Sequence, residues 1–369
     1  MAVYNYTKNY AQLREDQLVA ECVAAPNSLP VTDVQRLGDG TIDVYTSVAL
    51  TGPQQTTLAN AVAAHNGLPA GMIYGDNLLI NSSFTIDQRG NSGVAVGDAA
   101  YSMDRWIVLA EGASTTLSKL GLSRGRITQS LAGSLRCGLT QIVEAINAQP
   151  YRSNPIILQG KVRVSAACNV RFAILEFGGT ADTCPRDTVN NWASTTYTPG
   201  NFFTSGVNVL AVGSIAATTV DGTFSITAAP SASMNNLYAM VWFEGAQAQN
   251  TYFEVAEFGL YSGNNLRSWS TRSYSVEELL CRRYYLRLYS LDLGQAQQPA
   301  RVYGGGILYS VAMRISPTGI GLAFAVNAGN AGAVSVQNNN AFGTAFYNGA
   351  NNWTTGALVT ISGALDAEI

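Results

Sequence analysis

The sequence predicts a mainly β protein: a small N-terminal α/β module, then a β-sandwich, then a C-terminal β region. Three observations predict it. Charged residues make up only 12% of the chain, about half the usual share, while hydrophobic residues reach 47%. Gly, Ala, Ser, Thr and Asn fill the difference, which suits short strands with small-residue surfaces. Beyond position 77, apolar or alternating runs are punctuated by Gly, Asn, Asp and Pro. At 369 residues the chain exceeds one ordinary domain. The expected division is 1–70, 71–283 and 284–369.

The first module reads as helix, hairpin, helix. "NYAQLREDQLVAECVAA" carries Tyr10, Leu13, Leu18 and Cys22 at rough helical spacing, and Pro26 and Pro30 stop it. "TDVQRLGDGTIDVYTSV" is a hairpin signal, with Gly38-Asp39-Gly40 between two β-branched runs. "LTGPQQTTLANAVAAHNG" is a second helix with Thr51 as N-cap, Pro53 in the first turn and Gly67 past the end. Leu58, Ala61, Val62 and His65 share one face. So small a unit is marginal alone. "GLPAGMIYGDN" reads as a linker.

The sandwich follows. "NLLINSSFTIDQRG" and "YSMDRW" look like one unit, either the first strands of a core or the mouth of a site. Gln88-Arg89-Gly90 is expected to end the first strand in a turn. "IILQGKVRVSAACNV" alternates, with Val162 and Val164 opposite Lys161 and Arg163. "VRFAILEF", "GTFSITA" and "TYFEVAEFGLYSG" are further strands, and the fully apolar "YAMVWF" is a central one. "SVEELLCRRYYLRLY" is one helical interruption, with Ser275 as N-cap and Glu277 and Glu278 in its first turn. The tail from Leu291 is glycine-rich and β-like.

Composition narrows the function. The net charge is −3 and lysine is rare, so no basic face is offered to nucleic acid or an anionic membrane. A single histidine, His65, removes most metal and acid–base designs. The five cysteines, Cys22, Cys137, Cys168, Cys184 and Cys281, form no CxxC pair and read as buried small hydrophobes. That suits synthesis in a reducing cytoplasm. The N-terminus is not a signal peptide and no apolar run is long enough to span a bilayer, so release by lysis is the expected route out of a cell. No GxSxG, HExxH or phosphate loop is present, and Gly90, Gly93 and Gly97 lack the spacing of a dinucleotide fingerprint. No calcium-ligand spacing is present either. No cofactor is expected.

In order along the chain, "NLLINSSFTIDQRG", "YSMDRW", "YFEVAEFGLYSGNN…RSYSVEELLCRRYY" and the terminal "ISGALDAEI" resemble a β-domain of bacteriophage tail-fibre and head-fibre virion surface proteins. The resemblance covers roughly Asn77 to Ile369. It departs at Ser82-Ser83, where a different turn is usual. "LTGPQQTTLANAVAAHN" is similar to a short module of phage structural proteins. The resemblance implies a jelly-roll resembling carbohydrate-binding modules, displayed on a virion and often trimeric. On that basis residues 1–70 are expected to attach to other virion proteins. The β-domains are expected to project as a homotrimer toward host-surface glycans.

Candidate sites follow from side-chain chemistry. Sugar binding uses exposed aromatics flanked by amide and charged groups. Trp192, Tyr197 and Phe202 in one loop, and Tyr347, Asn351 and Trp353 in another, fit that chemistry. The same rings could instead pack against a neighbouring subunit or cap the sandwich. Asp104, Arg105 and Trp106 read as a core ion pair plus an aromatic anchor, or else as ligand-binding residues. Glu176, Glu244, Glu254 and Glu257 lie on predicted strands, and a glycosidase would need two of them about 5 to 9 Å apart. Arg282, Arg283 and Arg287 among tyrosines could bind nucleic acid, but a helix packing its tyrosines on the sandwich is the simpler reading. Three functions compete: a receptor-binding fibre protein, a capsid decoration or head-fibre protein without obligatory receptor binding, and a polysaccharide-degrading enzyme. The non-enzymatic readings are preferred.

Overall fold

A computed structural model of the chain describes residues 2–7, 15–23, 27–37, 41–64, 77–121, 123–295, 303–308, 313–326, 334–340, 343–348 and 358–368. The chain falls into two compact units, Met1–Tyr74 and Gly75–Ile369. The segment 284–369 therefore shares a unit with the sandwich.

The first unit is built as β1 (Ala2–Thr7), α1 (Glu15–Val23), β2 (Val31–Arg36), β3 (Thr41–Thr46) and α2 (Gly52–Ala64). β3 lies between β1 and β2, antiparallel to both. The alternation "VYNYT" puts Tyr4 and Tyr6 on the core side and leaves Val3 and Asn5 exposed. Leu18 and Cys22 of α1 and Leu58, Ala61 and Val62 of α2 close over Ile42 and Val44. Thr51 precedes α2, and its backbone N–H and hydroxyl both donate to Gln54 Oε1 at 3.0 Å, the half of a capping box in which the third helical residue reaches back. His65 lies outside the described residues.

The second unit contains β4 (Ala95–Gly97), β5 (Ala100–Tyr101), β6 (Ile107–Ala110), β7 (Ser114–Leu120), β8 (Arg124–Thr128), β9 (Cys137–Val143), the short α3 (Ala145–Ala148), β10 (Ile156–Val164), β11 (Cys168–Phe177), β12 (Val207–Ala217), β13 (Gly222–Ala228), β14 (Asn236–Phe243) and β15 (Tyr252–Ser262). They form two six-stranded antiparallel sheets, ordered β13-β10-β15-β8-β7-β4 and β12-β11-β14-β9-β6-β5. Each pair β4/β5, β6/β7, β8/β9, β10/β11, β12/β13 and β14/β15 has one strand in each sheet, at the same place in the two orders. That wrapping is a jelly-roll sandwich. Phe172 stacks on Phe224 at 4.3 Å and Phe243 meets Phe253 edge-on at 4.9 Å, joining the two inner faces.

The outer faces of the two sheets differ. On β10 of the first sheet, Val162 and Val164 point inward while Lys161 and Arg163 are half-exposed. On β14 of the second sheet every residue is buried. Leu237, Ala239, Val241 and Phe243 face the other sheet. Tyr238, Met240 and Trp242 lie under the β11–β12 connection, which packs Cys184, Val189, Phe202 and Phe203 on them. Gly138 admits this layer, since a Cβ there would stand 2.8 Å from Trp242 Cβ.

After the sandwich come α4 (Tyr274–Arg282), β16 (Tyr285–Gln295), β17 (Tyr303–Leu308), β18 (Thr318–Val326), β19 (Val334–Asn340), β20 (Gly343–Asn348) and β21 (Leu358–Asp366). β21 lies between β16 and β18, and β20 between β17 and β19.

Three sequence expectations are corrected. Asn77–Gly90 forms turns and not a strand, because asparagine side chains take over backbone pairing. Asn77 Oδ1 accepts from Leu79 and Leu260 N–H, and Asn81, at φ 55°, exchanges hydrogen bonds with Ile86. The helix α4 is capped by Ser273, not Ser275, and its N-cap makes no side-chain bond. It also ends at Arg282. The alternating "YLRLY" pairs with β21 as a strand.

All five cysteines are free, four of them buried and Cys168 half-buried. Burial pushes the Cys137 thiol up to about 12. Among the described residues no helix is long and apolar enough to cross a membrane, and no cluster of His, Cys, Asp and Glu could hold a metal ion.

Candidate functional site

The Asp104-Arg105-Trp106 motif is wholly buried. Trp106 stacks on Phe84 at 4.9 Å and donates from Nε1 to Asn81 O at 2.8 Å. Arg105, at φ 69°, does not pair with Asp104. Its guanidinium stacks 3.6 Å over Tyr284, donates to Ile142 O at 2.6 Å and pairs with Glu368. Arg89 joins the same carboxylate at 3.2 Å and Asp366 at 3.3 Å, over the ring of Tyr285. Asp104 instead accepts from the backbone and side chain of Gln88 at 2.6 and 2.8 Å. Burial pushes its carboxyl up to about 6. The opening blocks, the "CRRYY" segment and the terminal "DAE" thus meet in one closed cluster.

The arginines of "RRYYLRLY" are committed. Arg283 pairs with Glu144 at 2.9 Å, and Tyr284 donates to the same carboxylate at 2.9 Å. Arg282 pairs with Glu278, and Arg287 donates to the carbonyls of Gln88 and Arg89.

The four strand carboxylates are engaged as well. Glu176 accepts from Ser231 N–H at 2.8 Å, and Glu244 pairs with Arg171 at 2.5 Å. Those two stand at opposite ends of β14, roughly 23 Å apart by strand rise. Glu254 is ringed by arginines, and Glu257, in a β-bulge at φ 51°, pairs with Lys161 at 2.6 Å.

The β11–β12 connection builds the site with most binding chemistry. Phe202 is buried, stacked on Trp242 at 5.2 Å. Trp192 and Tyr197 meet it edge-on at 5.9 and 5.1 Å and remain half-exposed. Around them Asn190 donates to Gly200 O and Asn201 O, both at 3.0 Å, which fixes the loop. Beside the rings, the Arg171 guanidinium lies 4.2 Å from the centre of Tyr197, and Ser214 donates to Glu244. Burial raises the Tyr197 hydroxyl above its ordinary pKa. Arg171 and Trp242 are directly opposed on β11 and β14. Each holds a buried donor without a hydrogen-bond partner among the described residues, Nε of the arginine and Nε1 of the indole. Sequence reasoning named the three rings, and named Glu244 only as a candidate hydrolase carboxylate; it missed Arg171 and Ser214. The alternation of Arg171 with Val170 and Phe172 was the available signal.

Of the second aromatic set, Tyr347 lies on β20 opposite Gly304 and Ser335. Asn351 and Trp353 lie outside the described residues.

No family model matches the sequence, and no curated protein matches it. Among solved structures, the chain is similar to a CBM4 module with 11% identity, covering 50% of this chain and 98% of that one, at a TM-score of 0.30. It is similar to TmCBM61 in complex with beta-1,4-galactotriose, with 10% identity, 51% and 100% coverage and a TM-score of 0.31. It is also similar to the enzymatically active domain of bacteriophage CBA120 tailspike protein 4, with 8% identity, 51% and 22% coverage and a TM-score of 0.29. At these scores the similarities carry no argument about what this chain binds or does.

Proposed function

We propose that this chain is a non-enzymatic surface-display protein of a phage particle that binds host glycans through Trp192 and Tyr197. The carrying observation is the pair of half-exposed rings seated on buried Phe202, next to the Arg171–Glu244 pair. A sugar ring needs a fixed apolar face with polar groups at its edge. Rigid rings supply that face at low entropic cost. The engagement of Glu176, Glu244, Glu254 and Glu257 favours binding over glycoside hydrolysis. The display role rests on the ordered blocks, with residues 1–70 as the attachment module and a homotrimer as the projecting form.

Two experiments test this reading. Binding of the full chain to neutral glycans on an array is expected to be lost in Trp192→Ala and Tyr197→Ala. Immunogold labelling with an antibody to the second unit is expected to decorate phage particles. Label at the tail supports a receptor-binding role, and label over the head supports a decoration protein. Particles without label would remove the display role.

A further inference from the structure

The outer face of the first sheet carries an organised group of cations that the aromatic site does not use. Arg126 on β8, Glu254 on β15 and Arg163 on β10 stand side by side across three strands. Glu254 is buried at their centre. Its Oε2 accepts from Arg163 Nε at 2.6 Å, and its Oε1 from Arg126 Nε and Nη2 at 3.0 and 2.7 Å. Arg124, one step along β8, lies 3.5 Å from Glu254 Oε2 and grips Asp221 with both terminal nitrogens, at 2.9 and 2.7 Å. Lys161, on the same face of β10, pairs with Glu257 at 2.6 Å.

Both oxygens of Glu254 and of Asp221 are thus turned toward guanidinium groups. What points outward is mostly donor. Arg163 uses only Nε in the cluster, its side chain is 41% exposed, and among the described residues its two terminal nitrogens have no hydrogen-bond partner. Arg126 is 34% exposed, has no partner for Nη1 among the described residues and lies 3.9 Å over the ring of Tyr252. The Cα positions of Arg126 and Arg163 are two strand spacings apart, about 10 Å. Because both guanidiniums touch the same carboxylate, their outward nitrogens converge on one place. The flanking positions on β13, Thr223, Ser225 and Thr227, are exposed hydroxyls. A planar carboxylate matches the guanidinium fork best.

We infer that this face is a second binding surface, selective for a carboxylate-bearing glycan such as a uronic-acid oligosaccharide, with Arg163 and Arg126 as its anion-binding residues and Glu254 as the residue that positions them. It is independent of the Trp192 and Tyr197 site, which lies on the other sheet.

The test is titration calorimetry of the full chain at low salt with tri-galacturonate, with neutral galactotriose and with a glycerol-phosphate oligomer. Tri-galacturonate is expected to bind, and to weaken as salt is raised. Arg163→Gln and Arg126→Gln are each expected to lower its affinity roughly tenfold. Trp192→Ala is expected to leave it unchanged. Lys161→Gln spares the Glu254 cluster and serves as a second probe, with a smaller loss. The inference is overturned if tri-galacturonate does not bind, if galactotriose binds the Trp192→Ala protein equally well, or if the arginine variants bind like the parent. Binding of the glycerol-phosphate oligomer alone would also overturn it, by assigning the face to phosphate.

Discussion

Two glutamates of the second unit each gather arginines, and they do opposite things with them. Glu368 holds Arg105 and Arg89, whose side chains are 1% and 10% exposed. Glu254 holds Arg126, Arg163 and Arg124, two of which are more than a third exposed. In the first cluster the charges are sealed between Tyr284, Tyr285 and the sandwich, so the pair fastens the chain terminus to the opening motif. In the second the carboxylate is the hidden partner and the guanidiniums are displayed. The same residue types therefore lock a fold in one place and present charge in another. What decides is which partner is left in water.

The largest expected effect is at the lock. Glu368→Ala strands two guanidiniums in a dry environment and should cost about 3–5 kcal/mol in denaturant unfolding. A loss under about 1 kcal/mol would mean the terminus is not fastened there. Glu254→Ala should cost less, about 1–3 kcal/mol, because its arginines can turn to solvent. If the two losses are equal, the distinction between the clusters fails.

Asp104, beside the lock, gives a pH signature. Its carboxyl is pushed up to about 6 by burial, so the folded state holds that proton more tightly than the unfolded chain. Its contribution to stability is fully present below the ordinary carboxylate pKa of about 4 and is lost as pH rises through about 6. Parent stability minus that of Asp104→Asn should therefore fall between pH 4 and pH 7. A flat difference would place Asp104 in a wetter setting. The smallest effect belongs to the display side, where Arg163→Gln should change stability by less than about 1 kcal/mol.

Much of the architecture was legible in the sequence, and the gaps have physical causes. The alternation of "GKVRV" marked β10 as half-buried, and the run "YAMVWF" marked β14 as central. The run did not reveal that one face of β14 is covered by the chain's own connection instead of a second sheet. Trp106 could be read as buried because an indole rarely stays in water. The partner of Arg105 could not, since Glu368 lies 263 residues away. β1 was missed although "VYNYT" alternates. Asn77 and Asn81 replace strand pairing with side-chain bonds, which apolar patterning does not register. At the aromatic loop, ring types were visible, but Arg171 and Glu244 meet only through the pairing of β11 with β14.

If Trp192 and Tyr197 form a glycan platform, removing either ring must cost binding without costing the fold. Binding of the parent, Trp192→Ala and Tyr197→Ala would be measured on one panel of neutral surface oligosaccharides, with melting temperatures recorded alongside. The parent is expected to bind, and each substitution to lower affinity roughly tenfold or more while the fold persists. A folded Trp192→Ala protein that binds as tightly as the parent would contradict it, and would leave both rings as the cap of the second sheet.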